Sequence, residues 1–270
     1  MTEQNLLQED FSLLRLVPAV LRARDFRLYT GKTRLVDLWQ NNGAAILGHT
    51  PPSLLRELKN TASRGLFAPF PHFLEDRYYK ALARIFPNRI FRLYTALPPQ
   101  LVTEGVRNNS AALWRPFVNP ADPLSVAANA PPVLVPILPG VHYGLYTLAI
   151  DPESAALKHR EAADLLPPGD LISPLLLSVA ARGVYDLIAA AAERARSHYP
   201  RISKALKSSQ WQQQGLYLTL KQAPGSAEWA ALFCHFLKHG FLIPPVPTQP
   251  LILPGVLSPG EESQLAKLLL

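Results

Sequence analysis

The sequence predicts an α/β fold. Three patterns point to it. Short β-prone runs flank a glycine turn near the N-terminus. Apolar, β-branched runs in the middle suit buried strands. Segments with leucines and alanines at three- and four-residue spacing suit amphipathic helices. Proline sets the grain: 27 of 270 residues, about twice the usual share. Many turns and interrupted helices should follow.

Taken in order, residues 1–24 carry Leu6, Leu7, Leu13, Leu14, Val17 and Leu21 near helical spacing, with a break at Pro18. They predict a helical lead-in. Phe26–Thr30 and Arg34–Trp39 flank Gly31-Lys32 and predict a hairpin. Asn41-Asn42-Gly43 is turn chemistry. Pro52 sits where a helix begins, with Leu54, Leu55 and Leu58 marking its buried face. A second helix is expected from about Phe73 to Phe86, stopped by Pro87, and a strand from Arg89 to Tyr94. Leu101–Trp114 reads as a helix and Ala121–Pro132 as a loop. Val133–Leu138 and Tyr143–Ile150 read as buried strands. Pro167-Pro168-Gly169-Asp170 is a turn signal. Ser173-Pro174 opens the longest helical pattern, to about His198, closed by Pro200. Gly215–Lys221 predicts a strand and Ser226–His239 a helix with Gly240 behind it. Two short apolar segments around Pro244-Pro245 and a last helix from Pro259 complete the chain.

The composition excludes several classes. Apolar residues reach 48% and charged residues only 17%, so the chain is no disordered polyelectrolyte. No run of about 18 consecutive apolar residues exists, so no membrane span is expected. The polar, acidic Met1–Asn5 does not read as a secretory signal, and the single Cys234 fits a reducing compartment. A cytoplasmic protein is expected. Net charge is +7, but the basic residues fall into scattered clusters. Arg22, Arg24, Arg27, Lys32 and Arg34 form one; Arg194, Arg196, Arg201, Lys204 and Lys207 form another. Neither carries a nucleic-acid-binding pattern. A solvated basic surface explains them, and nucleic acid is not the expected partner.

The order of motifs resembles the class III aminotransferases, including the glutamate-1-semialdehyde aminomutase branch, which are pyridoxal phosphate (PLP) enzymes of fold type I. The matching residues are Tyr29–Trp39, Asn42-Gly43 and Leu47-Gly48-His49-Thr50-Pro51-Pro52. Toward the C-terminus they are Gly215–Leu220, Leu237–Pro244 and Leu251–Ser258 with Glu261-Glu262. The likeness covers roughly residues 25–95 and 170–270. It implies an aminotransferase-like small domain built from both chain ends, plus a reduced remnant of the fold type I large domain. The corresponding division is residues 1–90, an N-terminal segment and part of the small domain; 91–175, the large-domain remnant; and 176–270, the long helix and C-terminal small domain.

The departures from the family pattern carry the functional reading. Family members are longer, and the missing length falls between about 95 and 170. The phosphate-binding turn should follow Arg92-Leu93. Tyr94-Thr95-Ala96-Leu97-Pro98-Pro99 stands there, with no glycine and with two residues that lack an N–H. Tyr94, Thr95 and Ala96 are degenerate cofactor positions. The Asp-Glu pair that partners the pyridine nitrogen, expected after an apolar strand in the middle, is absent. Val133–Gly140 resembles the strand and turn of the Schiff-base lysine, and it has no lysine. Lys158, the only lysine between Lys80 and Lys204, sits in a charged cluster. The substrate-carboxylate arginine would fall near Leu251.

Other constellations are ordinary. His235 and His239 lie four apart on a predicted helix beside Cys234, with no acidic third ligand at a useful offset. His49 reads as a backbone-bonding structural histidine and Asp37 as a hairpin or interface residue. Phe67, Phe70, Phe73, Tyr78 and Tyr79 read as core or dimer packing. No nucleophile-elbow motif occurs. The expected protein has no catalytic residue, no cofactor and no metal. It is a pseudoenzyme with a structural or protein-binding role, a homodimer, with a further protein partner possible. Two other classes compete: an enzyme or binder that keeps PLP or amino-acid chemistry with relocated residues, and a binder of anionic partners.

Overall fold

The computed structural model describes residues 10–99, 101, 110–140, 144–153 and 166–270. They divide into two compact units. One holds Pro52–Pro116 and Leu124–Ala189; the other holds Glu9–Pro51, Phe117–Pro123 and Ala190–Leu270. The second unit therefore joins an early stretch of the chain to its last eighty residues or so.

The second unit begins with a short 3-10 turn, Ser12–Leu16. Strands β1 (Val20–Arg24), β2 (Arg27–Thr30) and β3 (Arg34–Asp37) follow as an antiparallel meander. The expected helical lead-in is thus overturned between Val20 and Arg24, while residues 1–9 lie outside the described residues. Pro18 blocks a continuous helix, and β2 supplies β1's backbone with ladder partners, Arg22 opposite Tyr29 and Arg24 opposite Arg27. The later strands β8 (Trp211–Gln214), β9 (Tyr217–Leu220), β10 (Phe241–Leu242) and β11 (Leu251–Ile252) complete two sheets, β1-β2-β3-β10 and β11-β9-β8.

Helices of the same unit cover these sheets. The segment Pro200–Leu206 is a helix of its own, because proline suits a first helical turn; the sequence reading had taken Pro200 only as a stop. Ser226–Lys238 puts Trp229, Phe233 and Phe236 on one face, at i, i+4 and i+7, into a core shared with Leu218, Phe241, Leu251 and Leu265. The last helix, Pro259–Leu268, is capped by Ser258, whose hydroxyl accepts from Glu261 N while the Glu261 carboxylate accepts from Ser258 N.

The first unit centres on a sheet of order β4-β7-β6-β5, made of β4 (Ile90–Tyr94), β5 (Ala111–Trp114), β6 (Val133–Pro136) and β7 (Tyr146–Ile150). β5 runs parallel to β6, and β7 antiparallel to β6 and to β4. β4, β5 and β6 therefore point the same way. Every residue of β6 is buried, as its unbroken apolar run requires of a strand covered on both faces. β5 corrects the helix expected over Leu101–Trp114: residues 102–109 lie outside the described residues, and pairing with β6 overrides the helical spacing of the rest.

The described helices of this unit are α1 (Pro52–Ala62), α2 (Leu74–Leu82) and α3 (Pro174–Ala195), whose end passes into the second unit. For the helices just given in the second unit, we use α4 (Pro200–Leu206), α5 (Ser226–Lys238) and α6 (Pro259–Leu268). Among the described residues α3 alone is long and apolar enough to cross a membrane. It buries Leu177, Ala180, Ala181, Val184 and Leu187, spaced as the inner face of a core helix. The buried Tyr78 hydroxyl of α2 shares a 2.7 Å hydrogen bond with Thr147 of β7, and burial pushes that phenol well above its ordinary pKa.

Candidate functional site

In open α/β sheets, ligands bind outside the carboxyl ends of the strands. The parallel directions of β4, β5 and β6 bring three chain segments to one such edge: Tyr94-Thr95-Ala96, Arg115-Pro116 and Ile137–Gly140. These are the degenerate cofactor positions, the residues behind an apolar middle strand, and the turn resembling the lysine turn.

After β4, the donors are already engaged. Thr95 donates its backbone N–H and its hydroxyl to one oxygen of Asp170, at 2.8 and 2.7 Å. Those two bonds, the backbone one first, hold the Asp170 carboxyl below its ordinary pKa. The Tyr94 hydroxyl donates to Pro167 O at 2.6 Å, and burial raises its pKa. Arg92 reaches the carbonyls of Leu166 and, at 3.1 Å, Pro167. Ala96 is exposed and contributes a methyl group.

After β5 come Arg115 and Pro116, so no carboxylate occupies either position. After β6, Ile137 and Leu138 are buried, with 4% and 6% of their surface exposed. Pro139 lies on α3 at Gly183: a β-carbon there would sit 2.1 Å from Pro139 O. Gly140, at φ +99°, fits between Val179 and Leu54. The turn is thus pressed onto the helix by backbone contact. Lys158, and Tyr143 at the start of the expected strand Tyr143–Ile150, lie outside the described residues.

The remaining sequence candidates are elsewhere. Leu251 is buried in β11 opposite Leu218, a position with no cation. The His235 and His239 rings lie 4.6 Å apart at the surface, and His239 Nδ1 bonds His235 O at 2.8 Å. Cys234 is exposed. Among the described residues no three His, Cys, Asp or Glu side chains come together as metal ligands. His49 pairs through Nε2 with the buried Asp37 carboxylate at 2.8 Å, rather than through its ring to the backbone. The other Asp37 oxygen accepts from Trp39 N and Gln40 N. This carboxylate anchors a turn in which Gln40, Asn41, Asn42 and Gly43 all take positive φ. Phe67, Phe70 and Phe73 are exposed while Tyr78 is buried. Near them lies a polar cleft of about 220 Å³ lined by Glu57, Asn60, Thr61, Arg64, Phe73 and Arg77, with Arg77 tied to Glu57 at 2.8 Å.

The sequence reading placed Arg194 in a solvated basic cluster; the structure buries it. Its guanidinium is buried and donates to Ile46 O (3.1 Å), Pro254 O (3.3 Å), Ser197 Oγ (3.0 Å) and Leu253 O, between the rings of Phe26 and Phe117. Burial lowers its pKa to about 10. It clips the segments of the second unit together. Nothing local distinguishes it from Arg196 or Arg201 of the same basic cluster; only the fold does.

No model of a known protein family matches the chain. An uncharacterized protein of Treponema pallidum (strain Nichols) is 26% identical over 90% of this chain and 91% of its own length. Another, from Borreliella burgdorferi, is 37% identical over 79 residues, 28% of this chain and 29% of its own. Among solved structures, an omega-transaminase from Sphaerobacter thermophilus aligns with a TM-score of 0.65 at 12% identity, covering 93% of this chain and 90% of its own. A glutamate-1-semialdehyde aminomutase from Pseudomonas aeruginosa, in complex with PMP, gives 0.61 at 14% identity, covering 94% and 86%. An acetylornithine aminotransferase from Elizabethkingia anophelis gives 0.58 at 13%, covering 94% and 92%.

The chain has the aminotransferase fold. That fold implies PLP, and the residues described at the sheet edge do not fit it. An aldehyde cofactor needs an amine within reach, and the turn after β6 offers buried Ile137 and Leu138. A phosphate needs free N–H and O–H donors, and those of Thr95 are held by a carboxylate.

Proposed function

We propose that the protein is a non-catalytic, shortened relative of the class III aminotransferases, with a structural or protein-binding role. The observation that carries this reading is the turn after β6. Its side chains are apolar and buried, and its backbone rests on Gly183 without room for a β-carbon. An amine placed there would be buried without a partner, which costs several kcal/mol on the order of other isolated buried charges. Arg115-Pro116 behind β5 and the engaged donors of Thr95 support the same reading.

The working form is a homodimer. α1 buries Leu54 but exposes Leu55 and Leu58, against the buried face expected of all three, and the following segment exposes Phe67, Phe70 and Phe73, an apolar set on one unit that a second copy would cover. Two-fold pairing is the commonest closed symmetry for such a face. The compartment is the cytoplasm, in keeping with an exposed Cys234 that has no second cysteine to pair with.

Native purification tests the proposal, with an absorbance scan, mass spectrometry of anything bound, and sedimentation. The expected result is no PLP absorbance band and a species of twice 29.8 kDa. A stoichiometric PLP band would favour the enzyme reading. A 29.8 kDa species at micromolar concentration would remove the dimer.

A further inference from the structure

We infer that the turn at Thr95 is an oxyanion seat filled in cis by the Asp170 carboxylate, which straps residues 166–170 across the carboxyl end of β4. The contacts are dense and reciprocal. Thr95 N and Oγ1 converge on one Asp170 oxygen at 2.8 and 2.7 Å. Asp170 N returns a bond to Leu93 O at 2.8 Å. The Tyr94 hydroxyl and the Arg92 guanidinium hold the carbonyls of Pro167 and Leu166. Gly169 makes the approach possible: a β-carbon there would stand 3.0 Å from Leu93 O.

Two donors from one residue aimed at a single oxygen make a small seat for a carboxylate or phosphate oxygen. In this chain the occupant is covalently attached, so it is present at high effective concentration and a free anion must displace it. Pro98 and Pro99 remove the N–H groups that would let the turn grip an anion more strongly. The seat therefore serves as a closure for the sheet edge. Thr95 and Asp170 are both exposed, so an added ion reaches the seat once the carboxylate is removed. The inference extends the non-catalytic reading to a named contact, and its test is independent of whether the chain binds PLP.

The test compares melting temperatures of the full chain as wild type, Asp170→Ala and the Thr95→Val/Asp170→Ala double variant. Each is measured in sodium formate, inorganic phosphate and sodium chloride at matched ionic strength. Asp170→Ala is expected to melt about 2–4 °C lower, the shift that one modest interaction produces in a chain of this size. Formate or phosphate should restore at least half of that loss, with chloride restoring none. Wild type should not respond, and the double variant, left with the Thr95 backbone N–H alone, should regain clearly less than Asp170→Ala. Asp170→Ala melting with wild type, or all proteins responding alike to every salt, would overturn the seat. Where Asp170→Ala does not fold, Asp170→Ser, whose hydroxyl is too short to reach the two donors, also empties the seat and the same comparison applies. Failure of rescue leaves the Proposed function standing, whereas PLP bound to wild type would remove that reading without touching the rescue result.

Discussion

Gly183→Ala is the substitution that best separates this packing from an ordinary helix. In an open helix, alanine is better than glycine by about 1 kcal/mol, so stability should rise. Here the new β-carbon would stand 2.1 Å from Pro139 O and 2.9 Å from Pro139 C, both backbone atoms. Relieving the overlap means moving the turn by more than an ångström and loosening Ile137 and Leu138, which are buried. Overpacking of this kind costs about 1–3 kcal/mol, occasionally more. Less the propensity gain, this leaves a net loss of about 0–2 kcal/mol, at the upper end for an overlap with rigid backbone. Gly260 is the control: it also lies in a helix, and nothing stands within 4 Å of its β-carbon position. Urea unfolding at constant m-value reads both variants. The midpoint should fall for Gly183→Ala and stay level or rise for Gly260→Ala. A Gly183→Ala protein as stable as Gly260→Ala would refute the argument that Pro139 is pressed against α3.

Three further outcomes are expected. Arg194→Met takes the donor from the buried carbonyls of Ile46 and Leu253, at about 1–3 kcal/mol each, partly offset by removing a desolvated charge; a urea midpoint unchanged from wild type would show that the clip contributes nothing. Glu261 is pushed up by burial but pulled further down by Arg27 and Ser258, to about 2 from an ordinary 4.5. A depressed folded pKa means that its stabilisation is present above about pH 4.5 and is lost as pH falls toward about 2; the Glu261→Gln protein should lose less stability than wild type across that window in an acid titration. Ile137→Lys replaces a buried apolar side chain with an amine that has no partner and should destabilise by about 3–5 kcal/mol; a well-folded variant that traps PLP at residue 137 would show that the site is still open.

Much of the fold was legible because local chemistry agreed with tertiary structure. Gly31 between two β-prone runs, Pro52 before a leucine face and the apolar Val133–Pro136 each admit one reading, and the hairpin β2–β3, α1 and β6 follow. The misreadings fall where pairing with a distant strand outweighs spacing. Leu21 continues the helical spacing of Leu13, Leu14 and Val17, yet its strand β1 pairs with β2, and β5 is short enough that only its parallel partner β6 defines it. Pro200 shows a third kind: proline both ends and starts helices, and only the next turn tells which. At the sheet edge, the missing lysine and the prolines behind Ala96 were plain in the sequence. The acceptor that the Thr95 donors find was not. Asp170 looks like an ordinary turn residue after Pro167-Pro168-Gly169, and its partner Thr95 lies 75 residues away. Gly183 is likewise one small residue in an alanine-rich helix until Pro139 is placed against it.

The central claim is that no lysine of this chain serves as a Schiff-base partner. Incubating the intact protein with PLP, reducing with borohydride and mapping the modified peptides by mass spectrometry tests it most directly. The account predicts slow, substoichiometric labelling spread over exposed lysines. One pyridoxyl group per chain at a single lysine, Lys158 above all, would contradict it.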